Sequence, residues 1–448
     1  MKRFTLLPVL LLAAHVAFAA GGGPSGEEAY NTKSYDDYEK PAACRSCHTD
    51  LFRQWEQSMM AQAFTHHWDE IEYFGLAVEH AKRDPIAAKA EPGCNGCHTP
   101  IAYLAGDTPP PRPEKNSRAN ESVSCDVCHT VSGYAGDTPF NFNWISTPGR
   151  TKYGPKPGRV SPHHDTEYNP FLRQAEFCGT CHNEMSPYGA WVKATQIEWA
   201  AGPYGADGVP CQRCHEPRAW GKSASMVEAD SVAQHLFHGA HDPGKVAGAV
   251  ELRMHPEERE VPYDGIAVVK VQLFNGKAGH KIPTGSVEDR IVWLHVTAED
   301  EEGRTWHLPV DPKGFSGEEY TIAADVLAYQ DMAVPLDDPD FPGVQRDGVP
   351  FGDRIFRMPY FDPQGRMTIM QWNTKSFGVD YRIGPRETKI ETFTWEIPED
   401  LSPGRVTFHA ELNFQKLVKP VADLLNVPAD ESAVVPINHA ETWIEVYD

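Results

Sequence analysis

Positive charge is scarce in this chain. Against 63 Asp and Glu stand only 41 Lys and Arg, a net charge of −22 over 448 residues. Such a balance excludes a nucleic-acid backbone as partner and suits docking to basic protein surfaces. The deficit is uneven: residues 1–250 carry 22 basic and 28 acidic side chains, and residues 251–448 carry 19 and 35. Beyond the first twenty residues no apolar run approaches the roughly 20 residues that cross a bilayer, so no membrane span is expected in the mature chain. No Ser-His-Asp set, carboxylate pair or phosphate-binding glycine loop stands out, which leaves no sign of hydrolytic or nucleotide chemistry. No cysteine lies outside one repeated pattern, and that excludes a disulfide framework.

The start has the character of an export signal. Lys2 and Arg3 precede a largely apolar stretch over 4–16, and Ala17-Phe18-Ala19 offers small residues for cleavage. Residues 1–19 are expected to be removed, and the product to be periplasmic or extracellular. Residues 20–40, opening with three glycines and Pro24, read as a flexible leader.

The ten cysteines form five copies of Cys-x-x-Cys-His: Cys44/Cys47/His48, Cys94/Cys97/His98, Cys125/Cys128/His129, Cys178/Cys181/His182 and Cys211/Cys214/His215. This is the attachment pattern of heme c. Two thiols three positions apart reach both vinyl groups of one porphyrin edge as thioethers. The histidine that follows lies under the ring and offers imidazole to the iron. A zinc site would not demand a histidine directly after every second cysteine. Five covalently attached hemes are therefore expected, with the ten cysteines as attachment points and the five histidines as proximal ligands.

The first cysteines follow one another at 50, 31, 53 and 33 residues, a rhythm of two related blocks. Trp55 follows the first motif and Trp199 the fourth. The second and third motifs lead into near-copies, with Tyr103 and Tyr134 each followed by Ala-Gly-Asp-Thr-Pro. Helices are expected over 50–64, 68–82, 176–181 and 231–237, and loops elsewhere, because five porphyrins would supply most of the core. After residue 260 the period becomes two. Strands are expected over 266–274, 291–298, 392–397, 406–414 and 442–447. The fold expected is α+β and multidomain. A mostly helical or irregular multiheme cytochrome c domain (41–250) is packed around hemes. An antiparallel β-sandwich-like domain (251–448) follows, with a loop insertion at about 311–375.

Sixth ligands must come from the remaining histidines, held neutral over the open ring face. His235, His238 and His241 stand just before the expected boundary. His280 sits in the stiff turn 279–285. His66, His67, His80, His163 and His164 complete the imidazole candidates, and Met60 is a thioether candidate that would raise the potential of its heme.

Cys-x-x-Cys-His followed by Trp55-x-x-Ser58 resembles the multiheme cytochromes c related to the tetraheme electron acceptor of ammonia oxidisers. Hydroxylamine oxidoreductase and the pentaheme nitrite reductase belong to the same superfamily. The stretch 178–217, with Glu198-Trp199, resembles that group too, as does the turn 279–285 with Arg290 and Trp293 after it. The resemblance covers about 40–300 and implies a C-terminal β domain that lends a histidine to a heme. Two departures stand out. Met60 occupies a position where relatives place histidine, and no Cys-x-x-Cys-Lys is present, which argues against nitrite reduction. The expectation is an electron carrier between redox proteins, with no catalytic residue assigned. The alternative is an oxidoreductase acting on a small nitrogen or sulfur compound at one heme with an open distal position.

Overall fold

The computed structural model describes residues 24–311, 349–350 and 352–448. The expected export signal and most of the expected insertion lie outside the described residues. The protein is α+β: a helical and irregular first region, then a β-rich one.

Alternation dictates the second region. Strands β1 (Glu251–Pro256), β2 (Ile266–Phe274), β3 (Ile291–Asp300), β4 (Thr388–Glu396), β5 (Gly404–Gln415) and β6 (Val435–Tyr447) build two sheets. One has the order β4-β2-β1, antiparallel throughout, with Val269 opposite Phe393. The other runs β6-β5-β3 with short strands at both edges. Every second residue of β2 and β5 points inward: Ala267, Val269, Val271 and Leu273 meet Val406, Phe408, Ala410 and Leu412 in one core.

Part of the expected insertion is not peripheral. Arg354–Phe356 pairs with β3 and is wholly buried. The chain after it crosses to the first region, where the Tyr360 hydroxyl donates to the Val192 carbonyl and Gln371 and Trp372 meet Lys193 and His80. Apolar residues within an acidic stretch carry that packing, and a reading by charge alone overlooks them.

The first region is built from short pieces. The helix expected over 50–64 is two, Thr49–Glu56 and Met59–Gln62, because the Ser58 hydroxyl accepts from the Ala61 N–H and caps a new start. Pro85–His98, 14 residues with Pro92 and Gly93 inside, is a helix that its composition hid. Residues 230–233 form a strand paired with Arg218–Gly221, where a helix was expected over 231–237. The expected flexible leader folds from Gly26 onward: Asn31 N–H donates to the Tyr103 carbonyl, and Tyr38 is buried with its hydroxyl on Ser146. Aromatic side chains there bury area against the body, which the glycine-rich start does not foretell.

Candidate heme-binding site

The motif geometry follows from local helix. Each Cys-x-x-Cys-His lies wholly or partly in one helical turn or more: Pro41–Arg45, Pro85–His98, Cys125–Cys128, Ala175–His182 and Gln212–His215. All ten cysteines and all five motif histidines line one continuous cavity of about 2430 Å³. An ordinary ligand pocket holds about 300–1,000 Å³. The lining is mostly apolar, as a porphyrin face requires, so the residues present fit several hemes.

Three motif histidines face a second imidazole across this cavity. The ring centres of His48 and His164 are 6.3 Å apart, those of His129 and His235 6.3 Å, and those of His215 and His280 6.4 Å, with interplanar angles of 28°, 15° and 23°. Metal–imidazole bonds of about 2.0–2.1 Å, with each ring centre roughly 1.1 Å behind its nitrogen, require about 6.3 Å. Direct ring stacking would be closer.

Backbone carbonyls orient these rings. Nδ1–H of His48 donates to Ser223 (2.6 Å), of His98 to Ala63 (2.6 Å), of His129 to Tyr153 (2.7 Å) and of His215 to His238 (2.7 Å). His164, His235 and His280 donate likewise to Asp165, Ala233 and Lys281. Each Nε2 is thereby left with its lone pair toward the cavity. Burial lowers the pKa of His182, His215 and His235 to about 4 and of His241 to about 3, so the rings stay neutral.

The other candidates separate cleanly. His163 and His241 line the cavity, as does Met60. His241 is flanked by Trp68 and His66. His66, His67, His80 and His238 are not among the described lining residues. His80 is buried with Nδ1 accepting from Trp372, His238 pairs with Asp242 at 2.7 Å, and His66 and His67 turn to Glu431. A partner elsewhere captured each of these rings, which spacing along the chain does not reveal. Among the described residues no imidazole stacks on His98 or His182.

His280 is set by contacts that span the two regions. Glu198 accepts from Lys281 N–H (3.1 Å), the Thr284 hydroxyl (2.9 Å) and Arg382 Nη1 (2.6 Å), and this fixes the turn carrying His280. The sequence singled out Glu198 without its role. The two tryptophans prove equivalent. Trp55 donates to the Val123 carbonyl and Trp199 to Val209, each two residues before the first cysteine of a later motif. The near-copies after the second and third motifs differ, one a helix (Pro100–Leu104) and one a strand (Val131–Tyr134), sharing only a left-handed glycine, Gly106 and Gly136.

The sulfurs define the spatial order. Cys44 neighbours Cys125, Cys97 neighbours Cys181, and Cys178 neighbours Cys211, each close enough to shift the other's thiol. Beside Cys94 and Cys97 lies a polar wall sequence reasoning missed. Lys193 binds Glu184 (2.7 Å) and Gln371, and Gln371 binds Glu288. Burial raises Glu288 to about 7 and, with Glu288 beside it, Glu72 to about 8.

Residues 43–130 match the family model described as cytochrome c554 and c-prime. The whole architecture also matches a solved structure, a penta-heme cytochrome c552 from Thermochromatium tepidum. The two share 22% identity over 91% of this chain and 99% of that one, with a TM-score of 0.63. Over residues 43–130 the chain is similar to a multiheme cytochrome c family. At 22% identity the likeness to the c552 carries the fold of this chain and nothing finer. The sporulation control protein Spo0M from Bacillus subtilis aligns at 12% identity over 45% of this chain and 49% of its own. Its TM-score of 0.17 carries no argument. No curated protein matches the chain in sequence.

Proposed function

We propose that the chain is an exported multiheme cytochrome c, an electron carrier with five covalent hemes, attached at the cysteine pairs named above and held by His48, His98, His129, His182 and His215. Bound heme supplies one-electron iron chemistry. The chain holds the rings in contact, keeps the ligating imidazoles neutral and excludes water. The three facing imidazole pairs carry this reading, because their spacing leaves room for one iron and nothing larger. They support His164, His235 and His280 as sixth ligands at the first, third and fifth sites. His241, which lines the cavity and is kept neutral by burial, is assigned to the fourth. The sulfur contacts support a connected order of first, third, fourth and fifth sites, with the second beside the fourth. Cys128, within reach of the charge on Cys181, joins third to fourth. Among the described residues no helix is long and apolar enough to cross a membrane, and the acidic surface suits redox partners with basic docking faces. Intact mass spectrometry tests the count: a mature chain plus five hemes, unchanged by thiol reductants, is expected. Fewer hemes, or free thiols, would refute it.

One observation favours a second reading. His98 has no facing imidazole, and the Lys193–Glu184 wall adjoins its cysteines, which suits an oxidoreductase site for a small nitrogen or sulfur compound. Low-temperature EPR of the oxidised protein separates the two. All-low-spin signals support pure transfer, with Met60 or another group covering His98. A high-spin signal that binds cyanide or nitric oxide rapidly supports the oxidoreductase.

A further inference from the structure

Outside the heme cavity three side chains converge without hydrogen-bonding. Glu431 Oε1 lies 3.3 Å from His66 Nε2 and 3.0 Å from His67 Nε2, and the two imidazoles stack at 4.5 Å. His66 and Glu431 are buried, their side chains 8% and 6% exposed. Yet His67 Nε2 and His66 Nδ1 make no properly directed hydrogen bond. Buried polar atoms in contact but out of line are costly unless something else satisfies them. Ligands on a tetrahedral cation with bonds of about 2.0–2.1 Å stand about 3.3–3.4 Å apart, close to the spacing seen.

We propose that His66, His67 and Glu431 form a binding site for one divalent cation of the zinc class. Two imidazoles and one carboxylate are a set that zinc accepts, with a fourth position left for water. His67 is the outermost of the three, its side chain 42% exposed while Nε2 itself is buried, so solvent reaches the edge of the site. Asp69 Oδ2 stands 3.3 Å from His66 Nδ1, on the side that leaves Nε2 to the metal. Lys416 Nζ holds the other oxygen of Glu431 at 2.6 Å, which makes the carboxylate monodentate and offsets one negative charge. The ion would clasp the helix His67–Glu72 to the turn Ala429–Ser432, joining the first region to the end of the chain. A second cluster, His295, His307 and Asp353, differs in kind. There both imidazoles make directed hydrogen bonds to Asp353 at 2.7–3.0 Å, so its polar atoms are already satisfied. The proposal does not depend on how many hemes are bound or what the hemes do.

The test uses the full heme-loaded chain, dialysed against chelator and titrated with zinc chloride by calorimetry. Elemental analysis counts zinc against iron. One zinc per chain is expected at micromolar affinity or tighter. Glu431→Gln and the half-exposed His67→Gln should each weaken it about a hundredfold, with iron content and heme spectrum unchanged. His295→Gln and the exposed His439→Gln should bind like the parent. Zinc-edge X-ray absorption should show two imidazoles and no sulfur. Absence of stoichiometric zinc, equal affinity in His67→Gln and parent, or loss in His295→Gln would overturn the proposal.

Discussion

The two regions of this chain solve the same problem with different material. The large apolar cluster lies almost wholly in the second region: all its buried members except Trp68 stand at or after Val250. The first region has only small clusters, such as Phe64, Tyr73, Phe74, Ala77, Ala102 and Ala119, ranged around the cavity. The β-rich half buries side chain on side chain at close packing. The other half keeps a space that its own side chains do not fill, and attaches sulfur to whatever fills it. A chain can forgo a continuous core if an apolar body is bound covalently in its place.

The largest effect should come from withholding heme. A chain made without heme attachment should lose amide protection over 41–250 while β2, β3 and β5 keep theirs, measured by hydrogen exchange. Equal protection in both regions would break the comparison. Phe408→Ala attacks the other half. Phe408 is fully buried against Trp395, and the change should cost about 3–5 kcal/mol in denaturant unfolding of the β region. The heme spectrum should stay native below that transition.

Glu198→Gln sharpens the link between the halves. It weakens the buried contact with Arg382, both side chains being under one-tenth exposed, and should cost about 1.5–3 kcal/mol. It should also loosen the turn 279–285. Part of one low-spin EPR signal should become high-spin, as all of it should in His280→Ala. A spectrum unchanged in both variants would refute His280 as a ligand.

The smallest effect is a pH dependence confined to the first region and its seam. Glu72 opens onto the cavity with protein on all sides, and burial raises its pKa to about 8; burial raises that of Glu288 to about 7. Both folded values exceed the unfolded value of about 4.5, so the neutral carboxyls stabilise the fold. That stability is complete below about pH 4.5 and is lost as pH rises through 7 to 8. Thermal melts should therefore drop by a few degrees between pH 6 and 9, and Glu72→Gln should flatten the slope.

Much of this was legible in the sequence. The heme motifs are local chemistry, since a helical turn brings Cys, Cys and His to one face. Strands β2 and β5 were legible too, because burying one face of a sheet forces alternation. The helix Pro85–His98 was not, since its Pro92, Gly93 and Gly96 weaken the local signal and tertiary contacts override it. The strand at 230–233 escaped for a similar reason, its partner Arg218–Gly221 being visible only once folded.

Among the sixth-ligand candidates local reasoning failed in a systematic way. His164 and His163 are neighbours, yet only His164 turns its ring to His48, while His163 stays exposed. His235, His238 and His241 share one stretch and meet three fates: a ring facing His129, a carbonyl lent to His215 and a cavity wall. The sequence by itself determined which atoms can attach a heme, because those atoms lie within one turn of chain. The tertiary structure alone decided which imidazoles face each other, which carboxylates are buried together and where a second metal could sit. Those choices depend on contacts between residues more than sixty positions apart, such as His215 and His280 or His66 and Glu431, and no local spacing encodes them.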